Sequence, residues 1–171
     1  MTMFGIKEAV VAPLVRSIAG EELTTAQIAE RFARASWTGI AEPGDRVAGL
    51  LVSALGATAA LTSVLDRWPT ARVVAAVTES GEHAVSAEDV APAMERWQPR
   101  LASASALIAL KQAVRYAVRL VTPADPSWPG GLNDLGFHAP IALWVRGLPS
   151  TLSTLDRSDW DAAELDLALF A

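Results

Sequence analysis

Residues 116–147 read YAVRLVTPADPSWPGGLNDLGFHAPIALWVRG, and the reading of this stretch decides the fold. Val118-Arg119-Leu120-Val121-Thr122 is short, β-branched and closed by Pro123, which predicts a strand. Ile141-Ala142-Leu143-Trp144-Val145 predicts a second, begun by Pro140 and stopped at Arg146-Gly147. Its nearly continuous apolar character predicts burial on both faces, as in a parallel or mixed sheet between helices. Between the two, Pro123, Pro126 and Pro129 exclude helix, and Gly130-Gly131 permit a sharp reversal at positive φ. No other part of the chain gives a convincing strand.

Upstream, apolar residues recur at helical spacing instead. Ile6, Val10, Leu14 and Ile18 predict a helix over 5–19, disturbed at Pro13 and ended by Gly20. Thr24 and Gln27 form a capping box for a helix that carries Ile28, Phe32, Ala33 and Trp37 along one side. After Pro43-Gly44-Asp45, Val47, Leu50, Leu51, Ala54 and Leu55 stripe the cleanest amphipathic helix of the chain, with Gly56 as its left-handed C-terminal residue. Leu61, Val64, Leu65 and Trp68 stripe the next, which Pro69 closes. Thr70 is a cap for a short helix with Val73, Val74 and Val77, and residues 78–84 read as a polar loop. Ser86 restarts helix with Glu88 and Asp89 in its first turn, where acids suit the dipole, as Glu21-Glu22 do earlier. Leu107, Leu110, Val114 and Ala117 stripe a last helix that feeds into the first strand.

Composition narrows the function. There is no cysteine, which removes disulfides, zinc-thiolate sites and thiol catalysis and fits a reducing cytoplasm. No basic segment followed by an apolar run opens the chain, so no signal peptide is expected. Val47 to Leu65 carries no charge and is long enough to raise the question of a membrane span. Gly49, Ser53, Gly56, Thr58, Thr62 and Ser63 dilute it, and two buried helices fit better. The net charge is −5, but the last sixteen residues hold five acids and one base, so the body is near neutral. No excess of positive charge advertises a phosphate-binding face. The helix–Gly56–helix unit has the form of a helix-hairpin-helix, a device that grips nucleic-acid backbones, yet it lacks the Lys or Arg such a grip uses.

Asp125-Pro126-Ser127-Trp128-Pro129, then Leu132, Leu135, Pro140, Leu143 and Val145-Arg146-Gly147, resembles the signature opening the core domain of the DNA-processing protein A (DprA/Smf) family, whose members act in natural transformation. Trp128 stands where Tyr is commoner. The resemblance is specific over about thirty residues and looser over roughly 25–150. It implies a mainly α chain in three parts. Residues 1–115 would be a helical domain of SAM-like or helix-hairpin-helix-like form, and 116–150 the opening of a truncated Rossmann-like core, with two or three strands of an incomplete sheet. Residues 151–171 would be an acidic tail, loop or short helix over 159–170. The function implied for the full-length family is binding of single-stranded DNA and loading of the recombinase RecA. The basic groove for that task belongs to a downstream sheet domain, whose Gly-rich turns do not appear in residues 148–171. No DNA-contacting residue therefore carries over, and the chain is not expected to bind DNA by itself. The signature residues Trp128, Pro129, Leu132, Leu135, Pro140, Leu143 and Gly147 are architectural on this reading, with the three leucines filling core.

Catalytic chemistry finds no support. His83 reads as a solvated loop residue and His138 as a cap or packing group before Pro140. No G-x-S-x-G, H-x-x-x-H or H-E-x-x-H is present. Asp125 and Asp134 flank the signature turn, where Asx bonds are the ordinary role. No enzyme, cofactor or small-molecule substrate is expected. The nearest approach to a basic cluster is Arg96, Arg100, Lys111, Arg115 and Arg119, with the last three four apart on one helix face. A reading of another class is a stand-alone helical interaction or dimerisation module, docking through Leu143, Trp144 and Val145 on an unpaired edge together with the acidic tail.

Overall fold

The computed structural model describes residues 2–19, 23–81, 84–147, 152 and 169–170. Glu21-Glu22, His83 and nearly all of the acidic tail lie outside the described residues. The protein is mainly helical, with seven α-helices before Val118 among the described residues.

The chain opens with a hairpin that hydrophobic alternation is too short to reveal. Strands β1 (Thr2–Met3) and β2 (Ile6–Lys7) pair antiparallel across Phe4 and Gly5, both at positive φ. Helix α1 (Glu8–Ala19) therefore starts three residues later than its apolar spacing suggests, and it runs through Pro13. It buries Val11, Val15 and Ile18 while Val10 is exposed.

Helix α2 (Thr25–Ile40) is the spine. The Thr24–Gln27 capping box forms as expected. Ala33, Trp37 and Ile40 belong to one core with helices α3 (Arg46–Leu55), α4 (Ala57–Leu65), α5 (Thr70–Glu79) and α6 (Ala87–Trp97). Trp37 and Trp97 meet edge to face there, with ring centroids 5.1 Å apart. Ile28, Phe32 and Ala35 belong to a second core with α1, helix α7 (Ser103–Arg115), Leu120 and Ala142. One helix thus faces two cores, and its apolar side is correspondingly broad.

Three helical expectations need correction. Thr70 is the first residue of α5 and makes no capping bond, and the helix continues through Thr78 and Glu79. α7 buries Leu110 and Ala113, not Val114 and Ala117, which are exposed. α7 also ends at Arg115, because Ala117 takes a φ of 52° that no α-helix accepts. Arg119 therefore lies on a strand and shares no helix face with Lys111 and Arg115.

Strand β3 (Val118–Val121) and strand β4 (Leu143–Arg146) pair antiparallel, Val118 opposite Arg146 and Val121 opposite Leu143. The connection between them contains no α-helix to carry the chain back across the sheet, so β4 returns in the opposite direction. Strand β5 (Leu169–Phe170) pairs antiparallel with the far side of β4, where a loop or short helix was expected. β4 is consequently the middle strand, not an unpaired edge. Leu143 and Val145 are fully buried and Trp144 is half-buried, so they offer no docking surface. Burial on both faces holds: Leu120 faces the helical core, while Val121, Leu143 and Val145 face a third cluster with Trp128 and Leu152.

Among the described residues no single helix is long and apolar enough to cross a membrane. The uncharged run folds as α3 and α4, bent by 116° at Gly56.

Candidate functional site

The signature segment is fastened to the helices by polar contacts that its own residues prepare. Thr122 donates both its amide and its hydroxyl to Asp125 Oδ2, at 2.7 and 2.8 Å, which closes the turn. The ordinary Asx role of Asp125 is thus present, but the carboxylate does more. Arg31 of α2 reaches it with two nitrogens, Nη1 at 3.0 Å from Oδ2 and Nη2 on Oδ1. Burial works to raise the Asp125 pKa; hydrogen bonds from Arg31 and Thr122, with the Arg31 charge, outweigh it and hold the carboxyl below its usual 3.8. Asp134 is exposed and joins no such pair with it.

Three further bonds complete the junction. Arg34, whose pKa burial lowers against the opposing pull of Glu30, donates to the Ile141 carbonyl at 2.8 Å. The Trp144 indole donates to Thr38 Oγ1 at 3.0 Å, and His138 donates from Nδ1 to the Gly44 carbonyl at 2.9 Å. His138 does fasten the turn before Pro140, as a tie between segments.

The signature side chains divide. Trp128 is buried with Val121, Leu143, Val145 and Leu152, and its indole donates to Asn133 at 3.1 Å. Pro129, Leu132 and Pro140 are half-buried, and Leu143 is buried. Leu135 is 49 % exposed, so it does not fill core. Gly130 and Gly131 open a 3-10 segment, Gly130–His138, at ordinary negative φ. The left-handed glycine is Gly136, at φ 56°, where the 3-10 segment kinks. Gly147, at φ 115°, ends β4.

The helix–Gly–helix unit has a site of its own. Gly56, at φ 80°, turns α3 into α4 and leaves the first amides of α4 in need of an acceptor. Glu30 supplies it. Its carboxylate accepts from Ala57 N and Thr58 N, each at 3.1 Å, and from the Thr58 hydroxyl at 3.0 Å. A helix-hairpin-helix offers such amides to a nucleic-acid phosphate. Here the protein's own carboxylate fills that position. At the other end of the unit Asp45 caps α3 through Val47 N and Ala48 N and accepts from Trp97 Nε1.

The basic candidates do not converge. Arg96 is paired with Asp45 and Arg100 with Glu42. Lys111 and Arg115 are exposed on α7, with Arg115 lying over the Tyr116 ring, while Arg119 is half-buried on β3.

Sequence reasoning missed Arg31, Arg34, Glu30 and Gly49. Arg31 carried a usable signal, since a cation between Ile28 and Phe32 breaks an apolar side and asks for a buried acid. Gly49 carried none. A Cβ there would meet the Phe137 carbonyl oxygen at 2.1 Å, so glycine is what lets the 3-10 segment lie on α3.

No family model, curated protein or solved structure matches the chain.

Proposed function

We propose that the chain is the N-terminal part of a DNA-processing protein of the DprA/Smf kind, acting in natural transformation. In this reading, single-stranded DNA binding and RecA loading belong to a Rossmann-like domain of which β3, β4 and the signature turn are the opening. Its helical part, of helix-hairpin-helix-like form, is a mount for that domain and not a DNA grip. The observation that carries the reading is the junction of the signature with α2, above all Arg31 on Asp125. A signature that both resembles the family's and is locked to the helices has the role of holding a following domain at a fixed angle. A Rossmann-like continuation would add parallel strands to this antiparallel opening. The reading assigns no catalytic residue, and places the protein in the cytoplasm.

The test is genetic and needs the organism of origin. Deleting the codons for residues 2–147 should lower transformation by chromosomal DNA while leaving growth unchanged. An unchanged transformation frequency overturns the reading.

A second reading, a helical interaction or self-association module, draws on one observation. Ile108 and Tyr116 are each more than half exposed on and just after α7, close in sequence to Lys111 and Arg115. If that face docks, Ile108→Asp should shift the sedimentation mass or abolish partner capture without lowering the melting temperature.

A further inference from the structure

Between α2, α4 and α7 lies a cavity of about 260 Å³ that plays no part in the junction. Its accessible apolar walls include Leu65 of α4, Leu101, Phe4 from the N-terminal hairpin and Trp144 from β4, with the buried Phe32 and Leu61 behind them. Two hydroxyls among its walls are already occupied, while Ser105 is exposed at the rim. Ser36 and Thr38 donate to carbonyls of their own helix, Phe32 O and Ala35 O, at 2.8 Å each. The Trp144 indole N–H is spent on Thr38, which also fixes that ring in place. The inner wall is therefore largely apolar, the kind of surface that favours a flat hydrocarbon body.

Gly39 marks the entrance. It is the next-to-last residue of α2, is exposed, and lines the cavity. Its backbone is not left-handed, and a Cβ there would meet nothing within 4 Å. Glycine weakens a helix by about 1 kcal/mol relative to alanine. Neither backbone conformation nor a close neighbour calls for it here. What its missing side chain does is leave the mouth clear.

Arg100 stands at the same edge. It bonds the Ile40 carbonyl at 3.3 Å and pairs with Glu42 at 2.8 Å, and the Glu42 side chain is 70 % exposed. An exposed pair of this kind is held by only about 0–1 kcal/mol. A ligand carboxylate backed by buried rings can replace Glu42.

We infer that this cavity binds a fused-ring aromatic carboxylate, with the rings against the half-buried Phe4, Leu65, Leu101 and Trp144 and the carboxylate on Arg100. An apolar cavity of about 150 Å³ accepts benzene, so this one accepts roughly a two-ring system. The inference does not rest on the DNA-processing reading.

The experiment titrates the full chain with 1-naphthoate and with uncharged 1-naphthol, followed by calorimetry and ligand-detected NMR. Saturable one-to-one binding of naphthoate is expected, roughly tenfold tighter than naphthol, the step a charge-assisted bond supplies. Gly39→Leu should weaken binding at least tenfold while the melting temperature holds or rises. Ala106→Leu, which narrows the cavity from α7, gives the same readout should Gly39→Leu fold poorly. Arg100→Gln should erase the preference for naphthoate over naphthol. The inference is overturned if neither compound saturates, if the two bind alike, or if both filling variants bind as the wild type does.

Discussion

Arg31 is a cation on the side of its helix that faces the sheet, and Asp125 is what makes that position tolerable. Removing the acid takes the Asp125 carboxylate from a buried guanidinium, and breaking a well-buried pair in this way costs about 3–5 kcal/mol. Asp125 keeps some exposure, so Asp125→Ala should lower the unfolding free energy by about 3 kcal/mol at pH 7 in urea titrations. The pH dependence has a definite sign. A carboxyl held below its ordinary pKa adds stability that is fully present above the unfolded-state value and is lost as pH falls through the folded-state value. The gap between wild type and Asp125→Ala should therefore be constant above about pH 5 and close progressively below the usual 3.8. A gap that persists unchanged to pH 2 would show that the loss is one of packing, not charge. Trp128 is a separate matter of burial in the small sheet cluster. Trp128→Ala should cost about 3 kcal/mol, read as a lowered thermal midpoint. Gly49→Ala is the most disruptive small change available, because the clashing atom is a backbone carbonyl that cannot swing aside. A loss of about 3 kcal/mol or more is expected, against the small gain alanine gives at an unobstructed helix position.

Among the elements, α4 depends on a neighbour for its start. Glu30→Ala strips the acceptor from the Ala57 and Thr58 amides and should cost about 1–2 kcal/mol, the range for a lost helix cap. Amide exchange should accelerate first in the opening turn of α4, and an exchange pattern unaltered there would count against the capping role. This dependence also bears on what the sequence could disclose. Helices α2, α3 and α6 were legible from a local starter, Thr24, Asp45 or Ser86, and α2 to α5 from a stripe at helical spacing. The two strands at 118–121 and 143–146 were legible from their β-branched and apolar runs. Their direction was not, because antiparallel return depends on how residues 122–142 pack, and that packing is set by contacts with α2 and α3. The hairpin at Thr2–Lys7 escaped because two-residue strands have no period to detect. Of the junction, Asp125 and His138 were visible as turn residues, whereas their long-range partners lie far away in sequence, and of these only Arg31 carried a local mark, as a cation between Ile28 and Phe32. The same holds for Leu135: its spacing suits a core position, but the kink at Gly136 leaves it in solvent.

On the scale of the whole molecule, the described surface gives little reason for tight binding to a polyanion. Bases and acids nearly balance outside the last sixteen residues, and the arginines nearest a cluster are paired with Asp45 and Glu42. Affinity for single-stranded DNA comes largely from counterions released by grouped Lys and Arg. Fluorescence anisotropy with a labelled oligonucleotide should show no submicromolar binding near physiological salt. Tight binding that survives that salt would contradict this and would make Lys111, Arg115 and Arg119 the first residues to neutralise. The Arg31–Asp125 tie also has a bearing on how the protein is made. Its two ends are 94 positions apart in the chain. At synthesis rates of about 5–20 residues per second, α2 leaves the ribosome roughly 5–20 s before its partner exists. Arrested nascent chains ending before Thr122 should be cut by protease within α1 and α2 more readily than chains reaching past Gly147. During that interval the Ile28–Phe32 side of α2 has α1 but neither α7 nor the sheet to cover it. Synthesis, more than any condition met by the finished molecule, is then the stage at which aggregation threatens.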